Sequence, residues 1–407
     1  MSIAPNVGLE FNAGRKDKNM PHIETMTSRE RVLKALNHQQ PDRIPIDLGG
    51  FQTGIHRLAY IDLINYLGIK DEIRILDPVQ QLVKPSEELL KRFHVDTRYI
   101  VAHGPDSFKG GILRNMRDGH LWHDLKDEFG IVWSMPDDRQ HFMDITHHPL
   151  AEASVEDVKA YPFPKGDDPS RFTGLREQAL KLRSETPYAL STGIGGVVYE
   201  ICWYMRGLEQ WFCDTIQNPE FCEALIDRTL DFWMGYYKCF MAEVGDLVDV
   251  VMVGDDLAGQ SGPLFSGDFY RAVVKPRQKK LVQYIRSQTK AKIWYHTCGA
   301  CTSLLPELKD NGVDIVNPVQ ISATGMEPNG LKKNFGDKLV FWGGACDSQH
   351  ILPFATPEQV REDVRKNITA FKPGGGYVFN NVHNIQAGVP PQNIVALYDA
   401  AYEFGFY

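Results

Sequence analysis

The chain has 407 residues, of which 43% are hydrophobic and 24% are charged, a composition typical of a globular protein. A formal net charge of -8 argues against a nucleic acid or an anionic membrane surface as the main partner. The chain has no continuous apolar run of the roughly 18 residues that a bilayer-spanning helix needs. Seven scattered cysteines and a polar start without an apolar signal core favour a reducing, cytoplasmic location.

The N-terminal part predicts a loose arm followed by one large domain. Residues 1–27 form the arm, which could pack on a neighbouring subunit of a homodimer. Thr27 and Glu30 have capping-box spacing, so a helix and the domain of residues 28–407 are predicted to begin after Thr27. The next predicted elements are a short strand, two helices and a second strand, at residues 43–48, 57–67, 79–93 and 99–101.

Between about residues 104 and 164 the pattern changes. Residues 120–125 and 131–135 alternate between polar and apolar side chains, and the turn signal Phe129-Gly130 separates them. This alternation is typical of paired antiparallel strands. We therefore predict a β-hairpin excursion inserted into the larger domain, not an independent domain.

Beyond residue 165, short β-branched or aromatic runs alternate with amphipathic helical patterns, which indicates parallel β/α units. Six strands are predicted, at residues 188–191, 247–253, 291–295, 313–316, 338–342 and 376–379. Helices are predicted at residues 199–217, 219–243, 268–289, 357–371 and 391–404. With the two earlier strands the total is eight, which predicts an α/β fold of the (β/α)8 TIM-barrel type. A doubly wound open sheet is the alternative, but no glycine-rich phosphate loop follows the first strand.

Three of the predicted strand ends are followed by residues that bind soft metals. His296 and Cys298 are two positions apart, so in extended chain both project to the same side. Cys346 and His383 follow two later strands, and parallel β/α folds bring such ends together on one face. Imidazole and thiolate ligands favour zinc over magnesium or calcium, so these four residues are the predicted metal ligands. The alternative for each is a buried apolar cysteine or a hydrogen-bonded histidine.

Carboxylates also follow a strand on the same face. Asp255 and Asp256 could orient an imidazole, accept a proton or supply an oxygen ligand, and their alternative role is to cap a helix. Glu200 lies at the start of a predicted helix with Tyr199 and Tyr204 beside it, and we expect one of these three to line the cavity. The predicted catalytic groups are Asp256, His383 and Tyr204.

From about residue 28 to residue 406 the chain resembles the uroporphyrinogen decarboxylase superfamily. The resemblance is carried by Tyr270 and by segments at residues 256–263, 275–277, 296–299, 313–320, 342–344 and 378–386, the last of which leads to 389–391. The resemblance implies a (β/α)8 barrel whose cavity lies at the C-terminal ends of the strands.

Two branches of this superfamily imply different chemistries. The decarboxylases bind a polyanionic tetrapyrrole through an Arg-Gln-Ala-Gly-Arg segment and use no metal, whereas residues 46–52 of this chain contain no arginine. His383 and Tyr204 fall where the decarboxylases keep a histidine and a tyrosine, and Asp256 replaces their usual serine. The zinc- and corrinoid-dependent methyltransferases carry His-x-Cys, matched by His296 and Cys298, and a later cysteine that aligns with His383.

The methyltransferase branch is the better match, and Cys346 or His383 would be the third ligand. The resemblance implies an enzyme that uses zinc and moves a methyl group between cobalamin, on a corrinoid protein or bound directly, and a small thiol or methoxy compound. The direction of transfer stays open. One alternative is a metal-independent decarboxylase or lyase of a small acidic molecule, using His383, Tyr204 and Asp256. Another is a ligand-binding module without catalysis.

Overall fold

The computed structural model of the protein describes residues 23–139 and 141–407. Most of the predicted arm therefore lies outside the described residues. The predicted capping box is present: the Thr27 hydroxyl accepts a hydrogen bond from the Glu30 N–H, and the Glu30 carboxylate accepts one from the Thr27 N–H at 2.8 Å. It begins the helix Ser28–Leu36. Within the described ranges, no helix is long and apolar enough to cross a membrane.

The centre of the fold is a curled sheet of seven parallel strands in which sequence neighbours are also spatial neighbours. The strands are Thr97–Ile100, Ala189–Gly193, Val250–Gly254, Lys292–His296, Ile315–Asn317, Val340–Trp342 and Tyr377–Val378. The predicted first strand lies between the two edges of this sheet. Ile46 forms a parallel bridge with Phe379, and the Asp96 N–H donates to the Ile46 carbonyl at 2.8 Å. These contacts close the barrel, which confirms the predicted fold.

Helices surround the barrel, as βα repetition requires. The α-helices are Ser28–Leu36, Arg57–Leu67, Glu87–Arg92, Val155–Ala160, Leu175–Glu185, Glu200–Arg206, Leu208–Gln217, Pro219–Val244, Gly267–Phe269, Lys275–Gln288, Leu305–Asn311, Pro328–Phe335, Pro357–Phe371 and Pro391–Gly405. A π-helical turn, Tyr270–Val274, joins two of them, and short 3-10 turns lie at Asp137–Arg139, Pro169–Phe172 and Thr302–Leu304.

Two helix predictions need correction. The helix predicted over residues 199–217 is broken at Gly207. Gly207 has a φ of 93°, which glycine adopts readily but which is incompatible with an α-helix. The helix predicted over residues 79–93 is confined to Glu87–Arg92. The preceding Leu82–Val83 is instead the middle strand of a small antiparallel sheet, with Ile55–His56 and Ile75–Asp77 on either side.

The predicted β excursion is a four-stranded antiparallel sheet rather than a single hairpin. Its strands are Ile112–Arg117, His120–Lys126, Val132–Pro136 and Asp144–His147. The ring of Trp133 packs edge-on against Tyr204 with 5.2 Å between ring centroids, and the Leu150 N–H donates to the Met205 carbonyl at 2.9 Å. The inserted sheet therefore lies beside the helix Glu200–Arg206, which follows the strand Ala189–Gly193, at the C-terminal end of the barrel.

The barrel interior is filled by large side chains. Trp294 and Trp342 are fully buried and stack with 4.6 Å between ring centroids. The Trp342 indole N–H donates at 2.9 Å to Asp47, which also accepts from the Tyr99 hydroxyl at 2.8 Å. Since side chains alternate along a strand, His296 points to the same interior as Trp294, two residues earlier.

The N-terminal end of the barrel is held by an ionic cluster. The carboxylate of Asp96, which precedes a barrel strand, lies 2.6 Å from the Arg31 guanidinium and 2.7 Å from that of Arg43. All three side chains are buried. In this fold the N-terminal end serves stability and the opposite end carries the chemistry, so we assign this cluster a structural role.

Candidate metal centre

The candidate site begins at three adjacent strand ends. Gly254 pairs in register with His296, and His296 pairs with Asn317, so these three residues end neighbouring strands at one level of the barrel. Gly254 is required here, because a Cβ at that position would lie 2.6 Å from the Cβ of His296. The strand register thus places the imidazole of His296 at the barrel mouth beside its two neighbours.

Hydrogen bonds fix the tautomer of His296. The Asn317 amide nitrogen donates to the Trp342 carbonyl at 2.9 Å, which turns the amide oxygen towards the imidazole. Nδ1 of His296 lies 2.6 Å from that oxygen and must therefore be the protonated nitrogen. Nε2 is left with a free lone pair, and burial lowers the pKa of His296, which keeps the ring neutral. Such a second partner is typical of metal-binding histidines.

Cys298 lies beside that free nitrogen. Its sulfur is 3.6 Å from Nε2 of His296, and its backbone N–H donates to Oδ1 of Asp256 at 2.8 Å. The same Asp256 oxygen is 3.8 Å from Nε2 of His296. Burial, followed by the charge of Asp256, raises the pKa of the Cys298 thiol well above its usual range. A cation bound at the sulfur would have to replace this proton.

His383 completes the group, after the last barrel strand. The ligand atoms of His296, Cys298 and His383 all lie within 4.8 Å of one another. The two imidazole centroids are 5.1 Å apart, and burial, followed by the neighbouring His296, lowers the pKa of His383 to about 4. Two neutral imidazoles and one thiol form a donor set that suits zinc, with a fourth position left for a reacting group.

The backbone around His383 is tightly held. His383 has a left-handed φ of 65°, and its Nδ1 accepts a hydrogen bond from the Asn384 N–H at 2.8 Å. Asn384 in turn donates to the Phe51 carbonyl at 2.9 Å and accepts from the Gly54 N–H at 2.6 Å. The bond to Nδ1 places the proton of the neutral ring on Nε2. If His383 binds a metal through Nε2, its ring proton has to move to Nδ1, and the hydrogen bond from the Asn384 N–H is lost. His296 already carries its proton on Nδ1, so it keeps its hydrogen bond to Asn317 when Nε2 binds a metal.

The structure does not bring Cys346 to this group. Cys346 is fully buried in the apolar layer between the barrel and its helices, not in the barrel interior. Its chain segment is held against the helix Pro357–Phe371, because the Asp347 N–H donates to Asp363 at 3.0 Å and Asn367 donates to the Ala345 carbonyl at 3.1 Å. The three metal-binding side chains that the structure groups together are those of His296, Cys298 and His383.

Two other predicted catalytic groups, Tyr204 and Asp256, form a hydrogen-bonded set with Glu200 beside the candidate metal ligands. The Tyr204 hydroxyl donates to Oε1 of Glu200, and the Asp256 N–H donates to Oε2 at 3.1 Å. Burial, followed by the charge of Asp256, raises the pKa of Glu200 to about 8. Asp255, in contrast, accepts from the Glu200 N–H at 3.0 Å and from the two preceding backbone N–H groups, so it caps this helix.

Two further polar residues were not singled out from the sequence: Gln52, and Asn381, which lies two positions before His383 in the chain. Both amide atoms of Asn381 and Oε1 of Gln52 are buried without a hydrogen-bond partner. A Cβ on Gly195 would lie 3.0 Å from the Gln52 amide nitrogen and 3.9 Å from the His296 ring, which places Gln52 near the candidate ligand His296. Neither residue belongs to a metal-binding or acid–base motif, so only the geometry identifies them.

Comparison with known proteins identifies the family. The family model "Uroporphyrinogen decarboxylase (URO-D)" matches residues 127–404, which is more than half of the chain. The chain belongs to the uroporphyrinogen decarboxylase family. This family match includes both strand ends that carry the three grouped metal-binding residues.

Members of the uroporphyrinogen decarboxylase family similar to this chain differ in activity. A uroporphyrinogen decarboxylase from Aliivibrio salmonicida is 36% identical over 62% of this chain and 68% of its own length. One from Psychromonas ingrahamii is 25% identical over 60% of this chain and 66% of its own length. A methylated-thiol–coenzyme M methyltransferase from Methanosarcina mazei is 26% identical over 50% of this chain and 51% of its own length.

A solved structure supports the fold assignment. The structure of a methyltransferase from Methanosarcina mazei superposes with a TM-score of 0.62, covering 93% of this chain and 99% of the other. The sequence identity over that superposition is 17%, so this likeness concerns the fold. The relatives described above include both decarboxylases and a methyltransferase, so the site residues have to distinguish between these activities.

Proposed function

We propose that this protein is a zinc-dependent methyltransferase that moves a methyl group between a corrinoid and a small thiol or methoxy compound. One observation carries the proposal: His296, Cys298 and His383 place three soft ligand atoms within 4.8 Å of one another at the barrel mouth. The similarity to a methyltransferase from Methanosarcina mazei named for methylated thiols and coenzyme M supports it. A cytoplasmic location, a homodimer and a corrinoid protein as partner stay predictions.

The three side chains fit zinc by their chemistry. His296 would bind through Nε2, which Asn317 already keeps free of a proton, Cys298 through its sulfur, and His383 through Nε2. A zinc ion held there would act as a Lewis acid on the oxygen or sulfur that exchanges the methyl group. Asp256 holds the backbone of Cys298 and so positions its thiol, and we propose no metal bond for Asp256.

The residues at the barrel mouth fit a metal-independent tetrapyrrole decarboxylase less well than a zinc enzyme. Residues 46–52 contain no arginine, and the acidic residue among them, Asp47, is buried in hydrogen bonds to Tyr99 and Trp342. The Tyr204 hydroxyl donates its hydrogen bond to Glu200, so it is not free to donate one to an anionic substrate. A carboxylate-rich substrate would therefore meet carboxyl groups where it requires cations.

Metal content tests the ligand assignment. Purified protein should contain about one zinc ion per chain by elemental analysis, and His296→Ala and Cys298→Ser should each lose most of it. Cys213→Ser is the matched control, because Cys213 is exposed on an outer helix and should leave the zinc content unchanged. Full metal content in both ligand variants would show that the assignment is wrong.

Methyl transfer tests the activity. Zinc-loaded protein, mixed with reduced cobalamin and a methoxy compound or a methylated thiol, should change the corrin absorbance as the methyl group reaches cobalt. The Cys298→Ser variant should abolish this change while the Cys213→Ser variant keeps it. If zinc-loaded wild-type protein transfers no methyl group in either direction with thiols and methoxy compounds, the proposed function is wrong.

A further inference from the structure

Gln52 lies at the barrel mouth, on a short loop that hydrogen bonds hold in place. The Gly49 N–H donates to the Thr53 carbonyl at 2.8 Å, which ties the two ends of the loop together. Asn384, which directly follows a candidate metal ligand in the chain, donates to the Phe51 carbonyl at 2.9 Å. Because the backbone is fixed on both sides of Gln52, its side chain is presented to the site before a ligand binds.

The carboxamide of Gln52 and the imidazole of His296 border the same glycine. A Cβ on Gly195 would lie 3.0 Å from Nε2 of Gln52 and 3.9 Å from Cδ2 of His296. Cδ2 is the ring carbon bonded to Nε2 of His296, the nitrogen that Asn317 leaves without a proton. Gly195 has no side chain to separate the two groups, so a molecule held at the candidate metal ligands lies next to the Gln52 amide.

The Gln52 amide has unused hydrogen-bonding capacity. Its oxygen is buried and accepts no hydrogen bond, and its nitrogen donates to none of the described residues. An enclosed polar group without a partner destabilises the protein, and a ligand that supplies the partner removes this penalty. A hydroxyl group can accept from the amide N–H and donate to the amide oxygen, so it matches this side chain.

The charges around the site disfavour an anionic ligand. Asp256 interacts electrostatically with both His296 and His383, and no lysine or arginine of the described residues does. A second carboxyl group, that of Glu200, accepts from the Asp256 N–H at 3.1 Å. Residues 46–52, which include Gln52, contain no arginine. A sulfonate or carboxylate would therefore lie beside carboxyl groups without a cation to pair with it.

We propose that Gln52 selects the substrate by hydrogen bonding to a neutral hydroxyl group close to the sulfur or oxygen atom that exchanges the methyl group. This inference rests on the proposed methyltransferase function and names its substrate class, which is a hydroxylated thiol or a hydroxylated methyl ether. An anionic thiol such as coenzyme M, which is 2-mercaptoethanesulfonate, is disfavoured. Gln52 acts in recognition and takes no part in breaking or forming bonds.

Compounds that differ in a hydroxyl or a methyl group test the inference. The methyl acceptors are 2-mercaptoethanol and 1-propanethiol, and the methyl donors are 2-methoxyethanol and 1-methoxypropane. Zinc-loaded wild-type protein should favour the hydroxylated compound by about 5- to 50-fold in kcat/KM. Gln52→Met keeps the length of the side chain without its hydrogen bonds, so the preference should fall to about twofold or less. Gln217→Met, an exposed substitution on an outer helix, should keep the wild-type preference.

Two further readouts separate recognition from a structural effect. Gln52→Arg should improve 2-mercaptoethanesulfonate relative to 2-mercaptoethanol by about tenfold or more, because a guanidinium pairs with the sulfonate. A damaged fold would not produce this gain. Calorimetric titration without corrinoid gives the Kd of each thiol in the absence of turnover. Wild-type protein should bind 2-mercaptoethanol more tightly than the other two thiols, and Gln52→Met should bind it no more tightly than 1-propanethiol.

The outcomes distinguish this inference from the proposed function. If wild-type protein transfers methyl groups without preferring the hydroxylated compounds, or if Gln52→Met keeps the preference, the inference is wrong and the methyltransferase function stands. If calorimetry detects the preference and its loss in Gln52→Met but no methyl group is transferred, hydroxyl recognition stands and the proposed function is wrong. If the protein neither binds nor methylates or demethylates any of these compounds, both are wrong.

Discussion

The pH dependence of stability should reveal the buried carboxyl of Glu200. Its pKa is raised from an ordinary 4.5 to about 8, because burial and the charge of Asp256 disfavour ionisation. Below pH 4.5 the carboxyl is protonated in both the folded and the unfolded chain. As the pH rises towards 8, only the unfolded chain gains by ionising, so the stability that this group contributes is lost over that interval.

The size of the effect follows from the shift. One pKa unit corresponds to about 1.4 kcal/mol, so the interval from 4.5 to about 8 allows a loss of up to about 5 kcal/mol. We expect about 2 to 5 kcal/mol, since the charged carboxylate can relax towards the barrel mouth. Glu200→Gln has no proton to lose, so its free energy of unfolding should fall by that much less than wild type between about pH 4.5 and pH 8.5.

Urea unfolding of metal-free protein, followed by tryptophan fluorescence at several pH values, measures this difference. Metal-free protein is needed because zinc binding is itself coupled to pH. Asp255, whose pKa burial raises to about 6, remains in both proteins, so its own titration contributes to both curves. Glu209→Gln, an exposed substitution on the neighbouring helix Leu208–Gln217, is the control and should follow the wild-type curve. Parallel curves for wild type and Glu200→Gln would show that this carboxyl ionises normally and would refute the reasoning.

Three further predictions concern the metal ligands and the opposite end of the barrel. Asn317→Ala should weaken zinc binding by about 10- to 100-fold in a chelator competition, because the His296 tautomer is then no longer fixed. His383→Ala should weaken zinc binding about fivefold less than His296→Ala, since His383 has to give up a hydrogen bond worth about 1 kcal/mol to bind. Asp96→Ala should lower the free energy of unfolding by about 3–5 kcal/mol in urea, because it leaves two buried arginines without this partner. The first prediction is wrong if Asn317→Ala binds zinc as tightly as wild-type protein. The second is wrong if His383→Ala loses more zinc affinity than His296→Ala. The third is wrong if Asp96→Ala leaves the unfolding midpoint unchanged.

The barrel could be predicted from the sequence because its strands are buried on both faces. Runs such as Val250–Gly254 are continuously apolar, and helical patterns separate them. The number and order of the strands can therefore be predicted from the sequence. The inserted strand Ile112–Arg117 was not predicted, because five of its six residues are exposed and no apolar alternation marks it. The strand Leu82–Val83 is too short for periodicity to distinguish it from a helical turn.

Part of the candidate site could be predicted because its residues directly follow strands that are recognisable in the sequence. His296 and Cys298 are sequence neighbours, and His383 joins them because the barrel brings the last strand end close. Cys346 also follows a strand, but Gly343 and Gly344, with φ of 125° and 65°, turn the chain between the strand and the cysteine. The role of Asn317 depends on which amide atom faces the imidazole, and only coordinates can show that orientation.

The stacked pair Trp294 and Trp342 has a consequence for the order of events. The two indoles fill the barrel below the level of His296, and the core around them closes the far end. Within the described residues, this packing blocks approach from below, so we expect a substrate to reach the ligand atoms from the barrel mouth. If the proposed function is correct, the small substrate would bind in the barrel before the bulky corrinoid, which would then cover the mouth.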